Sequence, residues 1–121
     1  MNEKIGQSAV IDINRIVREN TEKWINFNLT EVNDCLVRLG IFEGEFHWHK
    51  HNEEDELFLV LEGRLFLDLE GKTLELLPNQ GYTVPRTVLH RTRAREKTVV
   101  LMVEKNTVNP KGDVSSRGKR R

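Results

Sequence analysis

From Trp24 onward, apolar side chains return at every second position. Ile25, Phe27 and Leu29 alternate with asparagines, and Cys35, Val37, Leu39 and Ile41 share one face of the next run. A period of two marks a strand whose two faces differ, because successive side chains point to opposite sides of a sheet. Leu57 to Leu61 is nearly continuous in apolar residues and stops before Gly63, so this strand is expected to be covered on both faces. Leu65, Leu67 and Leu69 alternate up to Glu70-Gly71, and Leu74 and Leu76 resume after it, which is the layout of a hairpin. Pro78-Asn79-Gln80-Gly81 has turn composition, and Tyr82–Val84, Val88–Arg93 and Thr98–Glu104 complete the series. Helical spacing occurs once, at Ile13, Ile16 and Val17, with Asp12 as the N-cap. The pattern predicts an all-β, antiparallel sandwich or barrel of eight or nine short strands, preceded by a short N-terminal helix.

Length and composition narrow this picture. The 121 residues suffice for one core, and residues 1–113 are read as a single domain followed by a disordered basic tail over 114–121. Nineteen basic and nineteen acidic residues cancel, so no overall field steers the chain to nucleic acid or membrane. The one local imbalance is Pro110–Arg121, with five basic residues and one acid; it is read as a solubilising tail rather than a nucleic-acid contact. A lone cysteine, Cys35, excludes an internal disulfide and is read as a small buried hydrophobe. No apolar run approaches the roughly 20 residues of a membrane span, and the N-terminus lacks the layout of a signal peptide. A soluble, cytoplasmic protein is the expectation.

The candidate chemistry is concentrated in HWHKHNEEDE, His47 to Glu56, which holds three of the four histidines at alternate positions. Residues two apart on a strand face the same way, so His49 and His51 can converge on one ion, and a carboxylate from the following strand would complete the set. Glu56 stands where the loop Asn52–Asp55 passes into the apolar strand. His90 lies on another expected strand among apolar neighbours, where an unpaired imidazole is costly. Three imidazoles and a carboxylate make a mixed nitrogen and oxygen site suited to iron, manganese, cobalt, nickel or zinc.

These residues also carry a resemblance. HKHNEEDELFLVLEG, His49 to Gly63, resembles the first motif of the cupin superfamily, and GYTVPRTVLH, Gly81 to His90, resembles the second. In the first motif the closing glycine fixes Glu56 as the carboxylate. The Gly44–His51 run and the segment Glu104–Asp113 are similar to small single-domain, phosphomannose-isomerase-like cupins, so that the likeness spans roughly residues 9 to 113. It implies a jelly-roll barrel, or double-stranded β-helix, holding one divalent transition metal on His49, His51, Glu56 and His90. It further implies a small-molecule ligand or substrate and a homodimer. Two positions depart from the pattern: Thr87 stands where the second motif usually has glycine, and His47 where an apolar residue is usual.

The remaining polar residues have plainer readings. His47 reads as a surface or packed histidine near the pocket mouth, and Glu53, Glu54 and Asp55 as a solvated loop. Tyr82 and Thr92 read as barrel packing, Arg38 and Arg64 as solvated or salt-bridged strand residues, and Trp48 as core or subunit interface. The functional expectation is a metal-binding cupin acting on a small oxygen-rich substrate by isomerase, lyase or dioxygenase chemistry. The alternative is a non-catalytic metal or small-ligand sensor. No residue stands out in the sequence as the general acid or base.

Overall fold

The computed structural model describes residues 2–4 and 9–113; the basic tail from 114 onward lies outside them. In chain order the elements are β1 (Asn2–Lys4), α1 (Ile13–Arg18), β2 (Trp24–Val32), β3 (Cys35–Glu45), β4 (Glu56–Glu62), β5 (Leu65–Leu69), β6 (Lys72–Leu76), β7 (Gly81–Val84) and β8 (His90–Lys105). Hydrogen-bonded neighbours run β1-β2-β3-β8-β4-β7, with β5 joining β8 to β6. Every pairing is antiparallel except that of β1 with β2, and three residues are too few for a pattern to announce such a strand.

One expectation needs correction. The segments expected at Val88–Arg93 and Thr98–Glu104 are not two strands: His90–Arg93 and Thr98–Glu104 belong to the single strand β8, and Val88 and Leu89 precede it. Its first turn of residues pairs with β5, from Leu69↔His90 to Phe66↔Arg93, while residues 99–104 pair with β4. Between them Arg95, Glu96 and Lys97 are exposed, which imitates a turn in the sequence. Physically they mark where the strand crosses from one layer to the other and closes the barrel.

Apolar residues form two clusters, one on each side of the main sheet. Inside the barrel, Phe42, Phe58, Val60, Leu65, Leu67 and Met102 belong to the larger one. Outside it, Ile25, Phe27, Leu29, Leu39, Ile41 and Val99 are buried beneath Ile11, Ile13, Ile16 and Val17 of the helical segment. Six such side chains at about 1.5–3 kcal/mol each represent on the order of 10 kcal/mol of gross burial, which the helix segment makes possible. Helix α1 itself is short and has no fully buried residue; the Asp12 carboxylate caps it by accepting the Arg15 N–H at 3.2 Å. The cross-strand pairs Ile25↔Ile41 and Phe27↔Leu39 therefore face outward, and Trp24↔Phe42, Asn26↔Gly40 and Asn28↔Arg38 face the barrel interior.

Cys35 opens β3 half-buried, with its Sγ 3.9 Å from an Asp34 oxygen, so it is not the buried hydrophobe expected. Among the described residues no helix is long and apolar enough to cross a membrane.

Candidate metal centre

Glu56 begins β4 on the parity of Phe58 and Val60, so its side chain enters the barrel with theirs. His90 begins β8, and its backbone exchanges two 2.9 Å hydrogen bonds with His49. The second-motif loop is tied to the first by the Thr87 N–H, which donates to the His51 carbonyl at 2.7 Å. Thr87 has φ +73°, the left-handed conformation that favours glycine. The turn is thus kept despite the threonine, and His90 reaches the cluster.

One ring nitrogen from each of His49, His51 and His90, and one oxygen of Glu56, lie within 4.8 Å of one another. Glu56 Oε1 is 3.1 Å from His51 Nε2 and 3.6 Å from His90 Nε2. The hydrogen bonds at the far side of two rings fix the tautomers. His49 Nδ1 donates to the His47 carbonyl and His90 Nδ1 to the Val88 carbonyl, both at 2.9 Å, leaving the Nε2 lone pairs free. Both nitrogens of His51, Nε2 of His90 and Oε1 of Glu56 are buried without a hydrogen-bond partner. Each such atom costs about 1–3 kcal/mol. A cation shared by the converging lone pairs would remove most of that cost, and the donor set fits a divalent transition metal.

Electrostatics around the cluster agree with this. Burial holds His49 down to about 4, so its ring is neutral and able to ligate. Burial would raise the Glu56 carboxyl, but close contacts with His51, His90 and Glu104 outweigh it and hold it well below the usual carboxylate range. Opposite Glu56 in the sheet stands Glu104, a buried carboxyl pushed up to about 8, first by burial and then by repulsion from Glu56. Arg38 opposes that rise: its Nη1 donates to Glu104 Oε2 at 2.9 Å and stands 3.8 Å from Glu56 Oε2.

The cluster opens into a cavity of about 440 Å³. Its wall is a stack of rings, Trp24 lying 4.2 Å from Phe42 and 5.6 Å from Phe46 between centroids, continued by Phe58 and Met102. Gly40 is what lets Phe42 lie flat, since a Cβ there would collide with the ring. Polar groups are supplied by Asn26, Arg38 and Thr92, and the segment Asn109–Lys111 forms the remaining rim.

Several residues differ from their sequence readings. Arg38 is salt-bridged, as one of its two readings had it, but in the interior at 3% exposure and on the cavity wall, and Thr92 lines the cavity as well as packing. Glu54 is buried, its Oε2 accepting from the Thr107 hydroxyl at 2.7 Å, whereas Glu53 and Asp55 are exposed as expected. Trp48 is not core: it is 43% exposed, with the Arg91 guanidinium over its ring. His47 stays outside the four-residue cluster, its Nε2 donating to the Lys111 carbonyl at 2.7 Å. Tyr82 packs half-buried against the core, and Arg64 pairs with Glu75 at the surface. Glu104 was missed altogether as a site residue; its only signal is its position in the Glu104–Asp113 segment, which says nothing of its facing Glu56.

Comparison with known proteins gives concordant findings. Residues 36–104 match the model of the Cupin domain family. The protein called YdbB of Bacillus subtilis (strain 168), described as uncharacterized, is 48% identical over 90 residues, covering 74% of this chain and 80% of that protein. A crystal structure of a cupin-2 domain containing protein from Shewanella frigidimarina NCIMB 400 superposes with a TM-score of 0.75 at 31% identity, covering 79% of this chain and 94% of that one. Polyketide synthase CurC of Streptomyces cyaneus is 43% identical over 47 residues, 39% of this chain and 29% of that protein.

Proposed function

Since the chain belongs to the cupin family, we propose that it is a metal-dependent cupin, holding one divalent transition ion on His49, His51, Glu56 and His90 and transforming a small ligand in the adjoining cavity. The observation that carries the reading is the set of buried, unpartnered ligand atoms at the cavity's polar end. When bound, an ion with exchangeable positions polarises an oxygen of the ligand or activates dioxygen, which keeps isomerase, lyase and dioxygenase chemistry within reach.

The rest is done by this chain's own side chains. The ring stack Phe42, Trp24 and Phe46 favours a flat, carbon-rich body, and the polar groups Asn26, Arg38 and Thr92 favour oxygens on the ligand. Such a ligand is oxygen-bearing yet far less polar than a sugar phosphate. The partial match to a protein named a polyketide synthase points the same way, because polyketides combine a carbon chain with repeated oxygens. Arg38 offsets the Glu56 carboxylate and donates to Glu104, which is protonated near neutral pH and stands beside Glu56, behind the cavity wall, as the candidate proton donor. A non-catalytic binding role draws support from one fact: Arg38 and Glu104 are already engaged with each other. We further propose that the chain pairs through the outer face of β4, where Leu57, Leu59 and Leu61 are only half-buried while Phe58 and Val60 point into the core.

The test combines elemental analysis with ligand titration followed by tryptophan fluorescence, since Trp24 stands in the cavity wall. About one transition metal per chain is expected, with quenching by flat oxo- and hydroxy-acids that is lost in His51→Ala, and no response to sugar phosphates. Metal-supplemented expression that yields a metal-free protein refutes the proposal. Binding without turnover of any ligand selects the sensor.

A further inference from the structure

Resting on that metal reading, we propose that Glu54 and Asp113 are positioning residues for the centre: together they receive the Nδ1 proton of His51 and hold it in its metal-binding tautomer. The C-terminal strap Thr107–Asp113 thereby becomes part of the metal site.

The three histidines are not supported equally. His49 and His90 each donate Nδ1–H to the carbonyl two residues earlier in the chain. The equivalent carbonyl for His51 is that of His49, which accepts the His90 N–H at 2.9 Å and makes no hydrogen bond to the His51 ring. His51 is 2% exposed, so no water reaches it freely, and neither ring nitrogen has a hydrogen-bond partner. Its Nε2 faces Glu56 Oε1 at 3.1 Å, on the side where the ligand atoms converge; with the ion held there, Nε2 gives its lone pair to the metal and Nδ1 carries the proton.

The acceptors stand beside it. One oxygen each of Glu54 and Asp113 lies within 4.8 Å of a His51 ring nitrogen and of each other. Glu54 is 6% exposed; its Oε2 takes the Thr107 hydroxyl, and its Oε1 is buried and unpartnered. Asp113 brackets His51 along the backbone, its N–H donating to the Lys50 carbonyl at 2.9 Å and its Oδ2 accepting the Asn52 N–H at 2.6 Å.

The strap is seated closely enough for this to be specific. Gly112 has φ +92°, and a Cβ on it would run into His49, so only glycine permits the approach. One residue earlier, the Lys111 carbonyl is held by His47 Nε2. Asp113 itself is held by Lys50 and Asn52, so this contact of His47, which lies outside the four-residue cluster, is an added tie on the strap and not the one that seats the carboxylate. A carboxylate on the remote N–H of a ligating histidine fixes its ring and raises its basicity, and removing such a partner typically costs 10- to 100-fold in metal affinity.

The test uses the full chain, loaded with cobalt(II) and titrated against a chelator, alongside zinc-loaded protein labelled with 15N-histidine. Glu54→Ala and Asp113→Ala are expected to weaken cobalt binding by about 10- to 100-fold. Glu54→Gln and Asp113→Asn retain an acceptor oxygen and are expected to recover most of it. In the alanine variants the His51 ring resonances, and not those of His90, shift away from the Nδ1-protonated pattern. Melting curves of the stripped proteins identify any variant that folds poorly, in which case the other position carries the test. Unchanged affinity and unchanged His51 resonances overturn the proposal while leaving the four-ligand centre intact. Two cobalt ions per chain, one of them lost in Glu54→Ala, overturn it in favour of a second cation site. A wild-type chain that takes up no cobalt sinks both readings.

Discussion

Replacing Glu104 by glutamine should change how stability depends on pH, in a direction set by the buried carboxyl pair. Glu104 is held near 8, against 4.5 for an ordinary glutamate, by burial and by the neighbouring Glu56. Between these values the unfolded chain has lost this proton and the folded chain retains it. Folding then binds a proton, and stability falls as pH rises, by 1.36 kcal/mol per pH unit. The slope flattens as Glu104 itself titrates, so from pH 6.5 to 8.0 the loss is about 1.6 kcal/mol, or roughly 5–8 °C in Tm for a domain of this size. The window is chosen to exclude other groups. His49, held down to about 4 by burial from the ordinary 6.5, adds stability mainly below pH 6.5 and only about 0.4 kcal/mol more above it, in both proteins alike. The contributions of Glu56 and Asp68, both lowered, are already complete above the ordinary carboxylate range. Glutamine is neutral throughout and still offers Arg38 an oxygen. Metal-stripped wild type should therefore melt lower at pH 8.0 than at 6.5, and metal-stripped Glu104→Gln should be nearly level. Parallel slopes in the two proteins would falsify the placement of the proton on Glu104.

Three further outcomes follow from named contacts. His51→Ala should reduce metal content from about one per chain to a small fraction, whereas His47→Ala should leave it near one; equal losses by elemental analysis would mean the wrong histidines were chosen. Thr87→Gly should raise stability by about 1 kcal/mol, because threonine pays for its left-handed φ of +73°; a chemical-denaturation midpoint that falls instead would show that the threonine side chain is needed. Sedimentation at micromolar concentration should give a dimer rather than a 14.1 kDa monomer, and Leu59→Glu on the outer face of β4 should convert it to monomer without disturbing metal content.

Much of this protein was legible in its sequence. Alternation marked β2, β3, β5 and β6, a continuous apolar run marked β4, turn residues bounded β7 and the hairpin at Glu70-Gly71, and helical spacing after Asp12 marked α1, because backbone geometry couples each of these to residues close in the chain. The candidate ligands were legible in part for the same reason, since His49 and His51 share a strand face; that Glu56 and His90 complete the set is what the resemblance to the cupin motifs implies, through the spacing to Gly63 and from Pro85. What alternation cannot say is which face is inside. The asparagines of β2 and Arg38 of β3 have the look of solvent-facing residues, yet they point into the barrel, and their apolar neighbours Ile25, Phe27, Leu39 and Ile41 lie outside beneath α1. That choice depends on closure of the sheet and on the helix that covers its outer face, neither of which is local. The same holds for Glu104 opposite Glu56, separated by 48 positions, and for Glu54 and Asp113 on either side of His51. Periodicity reports that two faces differ; only the assembled barrel decides what each face meets, and therefore which carboxylates sit beside the candidate ligands.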